Sequence, residues 1–92
     1  MLANTYGINL DLETGFDLTS ATNIAIEVAD ISGTVRTLSA AVSGLATVGT
    51  IRRVTLADDF AEGVYRLQAV VDFGVNKRLR SEPVNLTVRG LQ

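Results

Sequence analysis

The feature that most constrains the fold is a run of alternating side chains between Val64 and Phe73. One set of alternate positions is apolar: Tyr65, Leu67, Ala69, Val71 and Phe73. The other set is mixed: Val64, Arg66, Gln68, Val70 and Asp72. A period of two over this length is typical of a half-buried β-strand and does not fit the period of a helix. We therefore predict a long strand whose first set faces the core and whose second set faces outward.

A glycine and a tyrosine stand at the start of this strand. Gly63 precedes it, and Tyr65 comes two residues before the core position Leu67. This order follows the tyrosine corner of immunoglobulin-like sandwiches, in which the tyrosine hydroxyl bonds to nearby backbone. The pattern predicts structural roles for Gly63, Tyr65 and Leu67.

The remainder of the chain consists of further short alternating segments separated by turn signals. The clearest turns are Thr14-Gly15, Ser32-Gly33 and Gly74-Val75-Asn76, and the segment Asn23–Asp30 between them reads as a strand. Short strands at such regular spacing are typical of a β-sandwich. We predict one all-β domain over residues 1–92, an immunoglobulin-like antiparallel sandwich of about seven strands.

Two local irregularities are expected. Within a predicted third strand, Thr34–Val42, Val35 and Leu38 cannot share one face, so we predict a bulge near Arg36–Thr37 with Leu38 facing inward. Pro83 is the single proline and lacks a donor N–H. It is therefore expected at a bulge, at a sheet edge or at a switch between sheets.

The tightest acidic cluster comprises Asp58, Asp59 and Glu62. Its spacing does not match the twelve-residue calcium loop of an EF-hand. A helical turn over residues 57–62, capped by Asp58 or Asp59, explains the cluster better. No metal site is predicted here.

The residue types that are missing exclude several kinds of chemistry. The chain has no cysteine and no histidine. Disulfides, thiolate nucleophiles and Ser–His or Cys–His catalysis are thereby excluded within it. We predict no catalytic, cofactor-binding or metal-binding residues, and we expect that the protein is not an enzyme.

The N-terminal residues Met1–Tyr6 show neither the basic start nor the apolar run of a signal peptide. No stretch has the length of a membrane span. We therefore expect synthesis in the cytoplasm and no membrane partner.

The single basic run is Lys77-Arg78-Leu79-Arg80. Nucleic-acid binders usually carry strong positive charge and interleaved aromatic residues, whereas this chain has a net charge of −2 and 5% aromatic residues. No nucleic-acid partner is predicted. The run is interpreted as a solvated strand edge or as a salt-bridging contact with a neighbouring subunit.

Short motifs follow one another along nearly the whole chain. They are YGINL at 6–10, DLTSATNIAI at 17–26, SGTV at 32–35, GTIR at 49–52, GVYRLQA at 63–69 and SEPVNLTV at 81–88. Their order and spacing resemble a family of small immunoglobulin-like domains in tailed bacteriophages. Ile31 stands where that family usually has proline, and the 63–69 segment is similar to its most recognisable motif, G-x-Y-x-L-Q-A.

The resemblance implies a non-enzymatic structural component of a phage or phage-derived particle. Such a protein is made in the cytoplasm of the bacterial host and resides in the virion. It assembles in several copies, with a trimer or hexamer expected, and docks to other head, neck, baseplate or tail proteins. Because family members on fibres continue into long trimeric shafts, the resemblance implies a separate virion component rather than a fibre.

The candidate interface residues lie on the outer face of the long strand and on the basic run. Val64 and Val70, with Arg66 beside them, would supply contact area, and Lys77, Arg78 and Arg80 would set orientation. A second hypothesis is a module that binds carbohydrate or a host surface, although few aromatic residues are available for a glycan platform. A domain of a bacterial machine related to phage tails is a third.

Overall fold

The computed structural model describes residues 6–56 and 59–89. These residues form eight strands and one 3₁₀ turn, Ala46–Val48. The strands are β1 (Asn9–Glu13), β2 (Asn23–Asp30), β3 (Val35–Ser39), β4 (Ala41–Val42), β5 (Thr50–Val54), β6 (Gly63–Asp72), β7 (Arg78–Arg80) and β8 (Val84–Val88). The protein is therefore all-β in its described part. Eight strands are found where about seven were predicted, and the predicted third strand, Thr34–Val42, is divided into β3 and β4.

The strands form two antiparallel sheets. The smaller sheet has the order β1-β5-β4, and the larger has β3-β2-β6, with β7 and β8 both pairing along the free side of β6. The long ladder between β2 and β6 runs from Asn23↔Asp72 to Asp30↔Tyr65. Apolar side chains fill the core: Leu12, Leu18, Ile26, Val28, Ile51, Phe60, Tyr65, Leu67, Ala69, Val71 and Val88. The alternation predicted for the long strand is thus confirmed for its inward face.

Pro83 lies in the interruption between β7 and β8. Three residues, 81–83, stand there opposite two residues of β6, 68–69, so the ladder contains a bulge. Ser81 closes it, because its hydroxyl accepts a hydrogen bond from the Ala69 N–H at 2.9 Å. Its carbonyl accepts one from the Gln68 amide at 2.8 Å. Of the three places expected for Pro83, the structure shows the bulge, and the physical reason is that proline has no N–H for the ladder.

The predicted bulge near Arg36–Thr37 is wrong. β3 pairs with β2 without interruption from Ala25↔Ser39 to Ala29↔Val35. Val35 simply points outward, where it is exposed, while Leu38 packs against the core. The break comes after β3 instead, where the chain passes through Ala40 into the smaller sheet as β4. A single exposed valine is tolerated, so no bulge is needed to bury it.

The predicted helical turn over residues 57–62 is not found in its described part, residues 59–62, while Ala57 and Asp58 lie outside the described residues. Asp59 is buried rather than capping a helix. Its carboxylate accepts hydrogen bonds from Arg53 Nε at 2.8 Å and Nη2 at 2.9 Å, and from the Leu56 N–H at 3.0 Å. The bond from the Arg53 guanidinium lowers the pKa of Asp59. A bidentate arginine satisfies the carboxylate more strongly than free backbone N–H groups do.

Candidate interaction surface

The start of β6 has the hydrogen bond expected of a tyrosine corner. The Tyr65 hydroxyl donates to the Ala61 carbonyl at 2.7 Å. The Tyr65 ring meets the Phe60 ring edge-on, with centroids 5.3 Å apart. A Cβ on Gly63 would lie 3.7 Å from this ring, and Leu67 is buried beneath the sheet. Gly63, Tyr65 and Leu67 together therefore fix how the chain enters β6.

The basic run at β7 is occupied by contacts within the chain. Arg78 pairs with Asp72 through Nε and Nη2, at 2.7 and 3.2 Å, and lowers the pKa of that carboxyl. Arg80 pairs with Glu27 of β2. The Lys77 ammonium lies over the Phe73 ring, 5.4 Å from its centroid. The charges of the three predicted contact residues Lys77, Arg78 and Arg80 thus already face partners in the fold, which weakens their case as docking residues.

Val70 lies on the outer face, as predicted, but it is only 5% exposed. Arg80 stands directly opposite Val70 on β7, and its side chain crosses β6 to reach Glu27 on β2. This ion pair spans the sheet surface beside Val70. The expectation that Val70 supplies open contact area is therefore wrong, because long charged side chains cover apolar surface with their stems.

The other half of the same outer face is open. Val64 is 47% exposed, and Arg66 beside it is exposed as well. Next to them are two apolar residues that the sequence interpretation did not select, Ile31 at 87% exposure and Val35. A shallow groove of about 270 Å³ runs between Ile31, Val64 and Arg66; Ala29, Asp30, Tyr65 and Asn85 complete its lining. We call the set Ile31, Val35, Val64 and Arg66 the Val64 surface.

Two signals in the sequence point to the missed residues. Ile31 is an apolar side chain within a turn, where polar residues are usual. Val35 is out of phase with Leu38, which indicates an outward position as readily as a bulge.

Arg66 differs from the two arginines of β7. Arg78 and Arg80 each hold a carboxylate. Arg66 makes no ion pair and no side-chain hydrogen bond with residues 6–56 or 59–89. The Val64 surface therefore combines exposed apolar area with an unneutralised positive charge.

The remaining observations assign no chemistry. Within the described ranges, no group of three or more acidic side chains is placed to hold a metal ion. The same part of the chain has no helix long and apolar enough to cross a membrane. Comparison with protein-family models, characterised proteins and solved structures finds no match to this chain.

Proposed function

We propose that this protein is a non-enzymatic structural component of a tailed-phage or phage-derived particle. It assembles in several copies and docks to other head, neck, baseplate or tail proteins in the virion. The observation that carries the proposal is the bond from the Tyr65 hydroxyl to the Ala61 carbonyl. It lies at the motif 63–69, the most recognisable part of the resemblance to the phage domains, and gives that motif a structural reason.

The strand order supports the finer description of the fold as immunoglobulin-like. Such sandwiches place strands B, E and D in one sheet and C, F and G in the other, with C′ joining the second sheet in variable-type domains. In those terms β1, β5 and β4 correspond to B, E and D. β3, β2 and β6 correspond to C′, C and F, and the interrupted strand β7–β8 corresponds to G. Tyr65 then lies near the start of strand F, where the corner tyrosine is found.

The surface chemistry supports contact with proteins rather than turnover of a substrate. The Val64 surface is a mixed apolar and charged patch beside the ion pairs Arg78–Asp72 and Arg80–Glu27. Protein interfaces commonly combine apolar contact area with arginine. The sequence has no cysteine and no histidine, so it offers neither a thiolate nucleophile nor a histidine base.

The location is tested by immuno-electron microscopy with an antibody raised against the purified chain. Particles released from cultures that produce the protein are expected to carry the label at a repeated position on the head, neck, tail or baseplate. Label found only outside such particles would contradict the proposal.

Self-assembly is tested by multi-angle light scattering across a concentration series. A stable trimer or hexamer is expected, and a monomer at every concentration would contradict assembly from several copies. A glycan array is measured in parallel. Clear binding that free glycan competes away would favour the carbohydrate or host-surface module instead.

A further inference from the structure

We propose that two copies of this chain meet face to face through the Val64 surface, with Arg66 of each copy against Glu62 of the other. The inference rests on the proposed assembly in several copies and names the face through which copies meet. It replaces the basic run Lys77–Arg80 as the principal contact.

The apolar part of this surface forms a row across two strands. The β2–β6 ladder ends at Asp30↔Tyr65, so the next residue of the turn, Ile31, lies beside Val64. Both are exposed, and Val35 extends the apolar area from the neighbouring strand β3. Contiguous exposed apolar side chains on one sheet face are typical of contact sites.

Two charged residues stand on either side of Val64 along the chain, Arg66 of the Val64 surface and Glu62 at its border, and neither is paired within the described part of the chain. Glu62 and Arg66 are both exposed and lie two residues on either side of Val64. Neither makes an ion pair among the described residues. Four residues of extended chain separate their Cα atoms by about 13 Å, which favours partners outside the chain over a direct contact between the two.

This spacing is self-complementary under two-fold symmetry. Consider two such faces packed together, about 10 Å apart as sheets usually are, with the axis running across the strands through Val64. Val64 then faces Val64 of the second copy, and Ile31 faces Ile31 of the second copy. Positions two residues before and after Val64 exchange, so each Arg66 meets a Glu62. A symmetric dimer requires this match of a surface with itself.

Charge complementarity therefore favours a second copy over an unrelated partner. An unrelated acidic segment would neutralise Arg66 but would leave Glu62 without a partner. The neighbouring charges of the outer face, Arg78–Asp72 and Arg80–Glu27, are already paired within the chain. The contact is therefore small and joins copies in pairs, which fits a hexamer made of three such pairs but not a trimer; on dilution the pairs are expected to separate.

The test is a charge exchange measured by sedimentation equilibrium. Arg66→Glu and Glu62→Arg each create two like-charge contacts, so each is expected to weaken dimerisation at least about tenfold. The double variant, Arg66→Glu with Glu62→Arg, is expected to restore the wild-type dissociation constant to within about threefold, because the pair is only exchanged. Glu13→Arg is the matched control: it reverses an exposed acid on the smaller sheet and is expected to leave the constant unchanged.

Circular dichroism confirms that each variant is folded before its mass is measured. A salt series on the wild-type chain gives a second measurement that needs no substitution, and higher ionic strength is expected to weaken the dimer. Single reversals without effect, or a double variant that stays dissociated, would overturn the proposed surface. A wild-type chain that is monomeric at its highest soluble concentration would overturn it too.

These outcomes separate the two proposals. A trimer or hexamer whose mass ignores both reversals would refute the Val64 surface and leave assembly in several copies supported. A dimer that is rescued by the double variant, in a protein absent from particles by immuno-electron microscopy, would support the surface and refute the virion role.

Discussion

Replacing Asp59 by asparagine removes the negative charge from a closely enclosed ion pair. Arg53 and Asp59 are joined by two hydrogen bonds, and their side chains are only 11% and 6% exposed. Loss of one partner of a buried pair typically costs 3–5 kcal/mol, because the other charge stays buried without compensation. Arg53 keeps a hydrogen bond to the Ser39 carbonyl at 3.0 Å. We therefore expect the low end of that range, about 3 kcal/mol.

Urea unfolding followed by circular dichroism measures this loss. With a slope of about 1 kcal/mol per molar urea for a small domain, the midpoint should fall by about 3 M, or the variant should be unfolded without urea. The matched control is Asp11→Asn, which makes the same change in a bidentate pair with Arg52 whose side chains are 41% and 42% exposed. Its midpoint should stay close to that of the wild-type chain. Equal shifts in the two variants, or a shift below about 1 M for Asp59→Asn, would refute burial as the reason for the difference.

Three further predictions concern the same fold. Bonding to Arg53 lowers the pKa of Asp59, so this carboxylate stabilises the fold above its unfolded-state pKa, near 3.8, and its contribution disappears as pH falls through the lower folded pKa. The difference in unfolding free energy between wild type and Asp59→Asn, measured by urea unfolding, should therefore shrink below about pH 4. A difference that stays constant would contradict a contribution from the ion pair. Tyr65→Phe should lower the free energy of unfolding by about 1 kcal/mol, because it removes one hydrogen bond and keeps the ring. An unchanged thermal midpoint would show that the Tyr65 hydroxyl does not contribute to stability. Gly49→Ala should destabilise the fold far more than Gly33→Ala in the same thermal assay. Both glycines have φ between +85° and +89°, but a Cβ at Gly49 would lie 2.4 Å from the Phe16 carbonyl oxygen, while a Cβ at Gly33 would have nothing within 4 Å. Equal losses of stability would mean that the close approach at Gly49 has no effect.

Local periodicity was sufficient to predict the strands at the centre of the larger sheet. Asn23–Asp30 is found with the predicted bounds, and the long strand differs from its prediction by one residue at each end. The missing N–H of Pro83 narrowed its place to a bulge, a sheet edge or a switch between sheets, and the bulge is the one found. These features depend on what each side chain and backbone unit does with its neighbours along the chain, which is why the sequence is enough to predict them.

Only the tertiary structure decided which outer residues are open. Val70 and Val64 occupy equivalent outward positions in the alternation, yet Val70 is covered and Val64 is exposed. The difference comes from Arg80 and Glu27, which are far apart in sequence and meet across β6. Arg53 and Asp59 are only six residues apart, yet their pairing in the fold makes Asp59 a buried acceptor instead of the helix cap that the sequence predicted. Long side chains find their partners across strands, and sequence spacing does not encode which partners the folded sheets bring within reach.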